Sequence, residues 1–274
     1  MPNNGGADLH CHTLYSDGTF SPAQVFERAR DEGLEAVAIT DHDSTEGLYE
    51  ADQAARHLGL GLIAGVEITG YEDGSEVHIL GLFVDARHKP LGKKLLERRT
   101  ARVERLKKMI QKLREEGHEV AVPDVLDFVG PGAVGRLHLA RFLVEKGIVK
   151  DVTAAFKRFL ATGAACYVPN AGFPAEDAIR LIHEAGGISI LAHPGLNHRD
   201  DLIAPLKEMG LMGIEVYHTG HDSRTEARYL KLARQLGLAV SAGSDCHGLA
   251  KGRPVLGTKR ISMHELENLR AHCG

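Results

Sequence analysis

Short apolar runs, each ending in histidine, aspartate or glutamate, recur along the 274 residues at the spacing of strand–helix units. No other feature restricts the fold as tightly. Residues 7–13 begin the series: in an extended segment alternate side chains share a face, so Asp8, His10 and His12 point one way and Ala7, Leu9 and Cys11 the other. Residues 37–40 deliver Asp41, His42 and Asp43, residues 62–66 deliver Glu67, and residues 76–84 carry His78. Later runs end at His193, at His218, and at Ser244 to His247. Amphipathic stretches lie between them: Ser21 and Pro22 open a helix that Gly33 closes, and Gly59 stops a second. Strands alternating with helices predict parallel pairing with the helices outside.

The alternation breaks between residues 91 and 165. Leu96, Val103, Leu106, Ile110 and Leu113 keep helical spacing up to Gly117, and shorter helices are expected over residues 122–129, 136–146 and 152–162. The expected organisation is a barrel-forming part over residues 1–90, a small all-helical insertion over 91–165 acting as a lid, and a second barrel part over 166–274. With 43% apolar and 26% charged residues the chain reads as an ordinary soluble protein. No apolar run approaches the roughly 20 residues that span a bilayer, so no membrane contact and a cytoplasmic location are expected. No obligate protein partner is evident. Four cysteines (Cys11, Cys166, Cys246 and Cys273) without CxxC spacing read as reduced thiols.

A single strand-end histidine is ordinarily a satisfied polar group. Six strand ends in succession exceed that explanation. In parallel barrels the C-terminal strand ends converge on one mouth, where active sites sit. Nitrogen and oxygen donors without cysteine favour Mn²⁺, Fe²⁺ or Zn²⁺ at a catalytic site, and the number of candidates implies more than one ion. No nucleophile elbow, Walker loop or dinucleotide fingerprint competes.

The stretches Asp8 to Thr13, Thr40 to Asp43, Gly65 to Glu67, His78, Ala192 to Pro194 and Gly243 to His247 resemble, in order, the motifs of the PHP (polymerase and histidinol phosphatase) superfamily. The resemblance implies an α/β fold, a distorted (β/α)7 TIM-like barrel, with two or three divalent ions. It assigns His10, His12, Glu67 and Asp245 to a first site, Glu67, His78 and His193 to a second, and Asp17, His42 and His247 to a third. Two or three such ions outweigh the carboxylates Asp17, Glu67 and Asp245, attract a phosphate dianion, and activate a bridging hydroxide for attack. Asp8, facing the same way, is expected to orient an imidazole.

The segment from Gly135 to Arg141, with Glu215 to His218, is similar to the branch of this superfamily with helical insertions. That branch includes 3',5'-nucleoside bisphosphate phosphatases and enzymes that trim short RNA from the 5' end. It implies a small phosphorylated substrate, a nucleotide above all. Arg136, Arg141 and His138 are candidate substrate contacts, against a solvated helix face for the arginines and a capping role for His138. His218 is a candidate to protonate the leaving group or bind phosphate, against a supporting role; Asp17 and His247 join it as catalytic candidates. Short-RNA exonuclease, histidinol-phosphate phosphatase and non-catalytic metal-binding domain are the alternatives. Between Lys93 and Glu116 ten Lys or Arg face four Glu, and a solvated surface with pairs such as Glu104–Lys108 is the preferred account over an RNA track. The loop Thr219 to Asp222 departs from the family pattern. His57, His88, His118, His183, His198, His264 and His272 are expected at the surface without partners.

Overall fold

The computed structural model describes residues 5–169 and 172–272. Seven strands follow in spatial order as in sequence: β1 (Ala7–Asp8), β2 (Ala36–Ile39), β3 (Gly61–Glu72), β4 (Ser75–Leu82), β5 (Ile188–Leu191), β6 (Gly213–His218) and β7 (Ala239–Gly243). Main-chain bonds from Leu9 to Ala242 (3.1 Å), Asp245 to His10 (2.9 Å) and His12 to Cys246 (2.9 Å) bring the ends together into a nearly closed barrel. The helices are α1 (Pro22–Asp31), α2 (Leu48–Leu58), α3 (Lys89–Glu115), α4 (Val122–Val129), α5 (Arg136–Glu145), α6 (Val152–Ala155), α7 (Ala175–Glu184), α8 (Pro194–Asn197), α9 (Ile203–Glu208), α10 (Ser223–Leu236) and α11 (Met263–Arg270). No described helix is long and apolar enough to cross a membrane.

Strand periodicity sorts side chains to two faces. In β2, Ala36 and Ala38 join the inner cluster with Leu80, Ile190 and Ala242, while Val37 and Ile39 pack outward with Val25 and Phe26 of α1. Leu266 and Leu269 of α11 belong to the inner cluster and plug it beside Ala7 and Ala36. Helix α1 starts as its sequence predicts: Ser21 caps Gln24 and Gln24 caps Ser21 in return.

The expectation of parallel strands fails at β4, which pairs antiparallel with both β3 and β5. Only Asp73 and Gly74, both with positive φ (41° and 74°), separate β3 from β4. A two-residue Asp-Gly turn makes a hairpin, whereas a parallel return needs a crossover of roughly a dozen residues. The reversal is the barrel's distortion, and it brings the N-terminal half of β4, with Glu76 and His78, to the mouth. The single helix expected over 152–162 is instead α6 followed by a π-helical turn, Phe156–Leu160.

Residues from α3 to Cys166 share a core of their own, including Leu106, Ile110, Val125, Leu139, Leu143 and Phe159. This cluster is separate from those around the barrel. Cys11, Cys166 and Cys246 are free and buried; Cys273 lies outside the described residues.

Candidate metal centre

The strand ends and the loop after β1 gather eight side chains around one buried carboxylate, Glu67. Its Oε2 lies 3.3 Å from His10 Nε2, 3.1 Å from His12 Nε2 and 3.2 Å from His42 Nδ1. Its Oε1 lies 2.8 Å from His78 Nδ1 and 3.2 Å from His193 Nε2. Asp245 Oδ1 stands 3.4 and 3.2 Å from the same His10 and His12 nitrogens. Beside them, Asp17 Oδ1 is 3.2 Å from His247 Nε2, and Asp17 Oδ2 is 3.9 Å from His42 Nε2.

The hydrogen bonds behind the rings fix what the rings present. His10 Nδ1 faces Glu215 Oε1 at 3.0 Å, and a carboxylate only accepts, so the proton of the neutral ring sits on Nδ1. Ser16 Oγ gives its hydrogen to Asp41 (2.6 Å) and therefore accepts from His12 Nδ1 (3.3 Å). His247 Nδ1 donates to the Asp245 carbonyl at 2.8 Å. Each of these rings turns an Nε2 lone pair inward. His10 Nε2 and His12 Nε2 sit 3.1 Å apart with only acceptors around them. Such convergence is stable around a cation, and neighbouring ligands on an ion about 2.1 Å away lie about 3–3.5 Å apart, as these do. His10, His12 and Glu67 form one such group; His42, Glu67 and His78 a second; His12, Asp17, His42 and His247 a third. Buried Asp17 Oδ1, His42 Nδ1 and His247 Nε2 have no hydrogen-bond partner, which suits metal-ligand atoms. The residues present suit divalent metal ions.

The same field shows in proton affinities. Burial opposes charge on His12, but Asp245, Glu67 and Asp17 outweigh it and push the ring up to about 10. Burial is likewise overcome at His78, which lies between Glu67 and Glu76 and is pushed up to about 9. His42 goes the other way, to about 3, because burial prevails with help from His12 and Arg102. Despite burial, neighbouring histidines hold Asp17 and Glu67 well below the usual carboxylate range; at Asp245, Lys251 and then His247 do so.

Several expectations need correction. Asp8 orients no imidazole: its carboxylate accepts from the main-chain amides of His10 (3.2 Å), Ser244 (2.9 Å) and Gly257 (2.8 Å), tying β1 to the loop after β7. Glu215 does the orienting instead, holding His10 with one oxygen and the His193 amide with the other (2.8 Å). The sequence did carry a signal for Glu215, since an acid alternating with Ile214 and Val216 must face the barrel interior. His218 reaches the interior only because a register shift between Glu215 and Tyr217 re-aims the strand end. Its Nδ1 accepts from the Gly220 amide (2.9 Å), so Nε2 carries the proton; that atom is buried, unpartnered and 3.6 Å from Asp245 Oδ2.

A cavity of about 670 Å³ opens above this cluster. Asp17, His42, Glu67, His78, His193, Asp245, His247 and Lys251 line it from the barrel; Arg102, Arg105, Arg136 and Phe156 line it from the helices, and Tyr167 from the loop that follows them. Among the expected substrate contacts, Arg136 is on this wall, with Nη2 3.0 Å from Glu76 Oε1. His138 and Arg141 are not among the lining residues. His138 Nδ1 accepts from the Gly135 amide (3.2 Å), capping α5, and Arg141 stacks on Phe128 at 5.6 Å.

The basic helix is not simply a solvated face. Arg98 and Arg102 turn inward to Asp43, and Arg105 reaches the Val168 carbonyl (2.8 Å) and approaches Glu76 (3.6 Å). Arginines at 98, 102 and 105 share one face, but Lys94 and Lys112 fall beside them on it, so helical spacing alone did not mark the arginines as inward. Glu104 pairs with Lys107 (2.7 Å), not Lys108. Histidines expected without partners have them: His183 bonds Ser189 (2.9 Å), His264 and His272 bond Asn268, and His118 meets Arg158 and packs edge to face with Phe159. His221, in the divergent loop, is buried between the Val216 carbonyl (2.9 Å) and the Gly195 amide (3.1 Å).

Comparison with known proteins agrees with this geometry. The model of the PHP domain matches residues 8–120. A 5'-3' exoribonuclease of Haemophilus influenzae is 35% identical over 88% of this chain and 89% of its own. The chain belongs to the PHP family. A 3',5'-nucleoside bisphosphate phosphatase of Chromobacterium violaceum is 34% identical, over 89% of this chain and 88% of its own. A Bifidobacterium adolescentis protein, provisionally described as a metal-dependent phosphoesterase, has a crystal structure that superposes with a TM-score of 0.90 at 32% identity, covering 98% of this chain and 96% of that one. The protein is a metal-dependent hydrolase of phosphate esters, with the distorted barrel of the PHP fold.

Proposed function

We propose that the protein hydrolyses a phosphate monoester of a small nucleotide, a nucleoside 3',5'-bisphosphate. One observation carries this reading: a single cavity has a metal-suited carboxylate–histidine cluster on one side and three arginines on the other. A bisphosphate needs both, one group to be cleaved and one to be held.

His10, His12, Glu67 and Asp245 would hold a first ion, Glu67, His78 and His193 a second, and Asp17, His42 and His247 a third, the ions being Mn²⁺, Fe²⁺ or Zn²⁺. Bound there, they supply Lewis acidity, positive charge for the phosphate, and acidification of water near neutral pH. The chain's own residues do the rest. Glu215 and Ser16 keep protons on the outer nitrogens of His10 and His12. The Nε2 proton of His218, lacking a protein acceptor, suits donation to the leaving oxygen. Arg136 suits a fork on the phosphate that is not cleaved. Residues 91–165, with their separate core, serve as an inserted lid whose inner face completes the substrate cavity. Free buried thiols suit a cytoplasmic location.

Exonuclease action on short RNA is the second reading, favoured by the Haemophilus influenzae relative. Against it, α3 turns Arg98 and Arg102 onto Asp43 and Arg105 onto the Val168 carbonyl, so these three do not track an RNA backbone along the exposed face. The deciding experiment is phosphate release from nucleotides, bisphosphates and short RNAs by protein loaded with each metal. Bisphosphates should be the best substrates. Faster mononucleotide release from RNA would favour the second reading, and no release from any of them would defeat both.

A further inference from the structure

Asp43 follows His42 in a left-handed backbone conformation (φ 48°), and its amide bonds the Glu67 carbonyl at 2.9 Å. An aspartate there is locked to the metal cluster through the main chain. Its buried carboxylate takes Arg98 Nε on Oδ1 (2.6 Å) and Arg102 Nε on Oδ2 (2.6 Å). The two arginines are one turn apart on α3, yet they end differently. Arg98 reaches the Thr69 carbonyl, lies over the Phe173 ring at 4.6 Å, and does not line the cavity. Arg102 reaches Thr69 Oγ1 (2.9 Å) and does line it; among the described residues no acceptor bonds its Nη1. Two guanidiniums on one carboxylate leave a net positive charge, and Arg102 carries it to the cavity wall. A buried ion pair used only for docking α3 would not need a second arginine with an open edge.

We infer that Arg102 is a contact for the substrate phosphate that is not hydrolysed, and that Asp43 is the positioning residue that aims it. Asp43 and Thr69 fix the guanidinium from two sides, and its remaining edge faces the cavity as a preorganised anion fork. The inference rests on the bisphosphate reading above.

The test compares Arg102→Met, Arg102→Lys, Asp43→Asn and the Asp43→Asn/Arg102→Met double variant in the metal-loaded enzyme. Substrates are adenosine 3',5'-bisphosphate and p-nitrophenyl phosphate, which lacks a second phosphate. Arg102→Met should raise KM for the bisphosphate about tenfold or more, a clearly larger loss than it causes on p-nitrophenyl phosphate. Arg102→Lys should recover part of the loss. Asp43→Asn should show a smaller loss that adds nothing in the double variant. Calorimetric binding of adenosine 3',5'-bisphosphate to chelator-treated protein supplies a readout independent of turnover, and Arg102→Met should weaken it by a similar factor. Equal losses on both substrates, with bisphosphate binding unchanged, would overturn the inference. If the wild type cleaves no bisphosphate, the functional reading falls and the calorimetric result alone decides the role of Arg102. Should Asp43→Asn fail to fold, the two single Arg102 variants still decide it.

Discussion

The two walls of the cavity are built by different means. On the barrel wall, donors sit on or beside strands whose hydrogen-bonded ladders set each ring's position, and partners behind the rings set which nitrogen faces inward. On the helical wall, arginines with long, rotatable stems are aimed by single carboxylates, Asp43 for Arg98 and Arg102, Glu76 for Arg105 and Arg136. Metal ligation tolerates little positional error, and backbone ladders supply that accuracy. Anion recognition by a charged fork tolerates more, and ion pairs suffice. Glu76 spans the walls, since His78 Nε2 lies 3.3 Å from the oxygen that Arg136 contacts.

Three measurements would break or sharpen this contrast. Glu215→Gln should have the largest effect. An amide cannot accept from both the His10 ring and the His193 main chain, so metal affinity should fall by roughly 10- to 100-fold in a chelator-competition titration. Unchanged affinity would mean the ladders alone position the ligands. Arg136→Met should act on the other wall: KM for a bisphosphate should rise by about tenfold, with metal affinity untouched. Loss of metal in that variant would show that the walls are not independent.

The smallest effect is on stability against pH. The histidines at about 9 and about 10 are raised from the ordinary 6.5, so their protonation stabilises the chelated protein fully below pH 6.5. That contribution is lost as pH rises through the raised values. The acids that raise them, Asp17, Glu67, Glu76 and Asp245, stay ionised throughout this range. The melting temperature of chelated protein should therefore decline between about pH 7 and pH 10, and saturating metal should remove the decline by replacing those protons. A flat profile without metal would argue that the cluster does not hold protons in place of ions.

The barrel wall was largely legible in the chain. Strand-end histidines and acids announce themselves because strand periodicity is short and each terminus is marked, and the structure brings Glu67 and Asp245 each within 3.4 Å of His10 and His12. Supporting groups were harder to place. Asp8 and Glu215 are both acids on inward positions, and only their neighbours in space decide that one bonds amides and the other an imidazole. The antiparallel turn at Asp73–Gly74 was written in the sequence and outweighed by the regular alternation around it. On the helical wall, Arg98, Arg102 and Arg105 look like any basic helix face until the acids that face them are known.

By itself the sequence determined the alternating fold, the donor types and their order, because those follow from local periodicity and side-chain chemistry. Tertiary structure alone decided two things: the shifted register that turns His218 inward, and the pairing of Asp43 with two arginines of a distant helix. Each depends on contacts between segments far apart in the chain, and no local pattern encodes which buried charge will meet which partner.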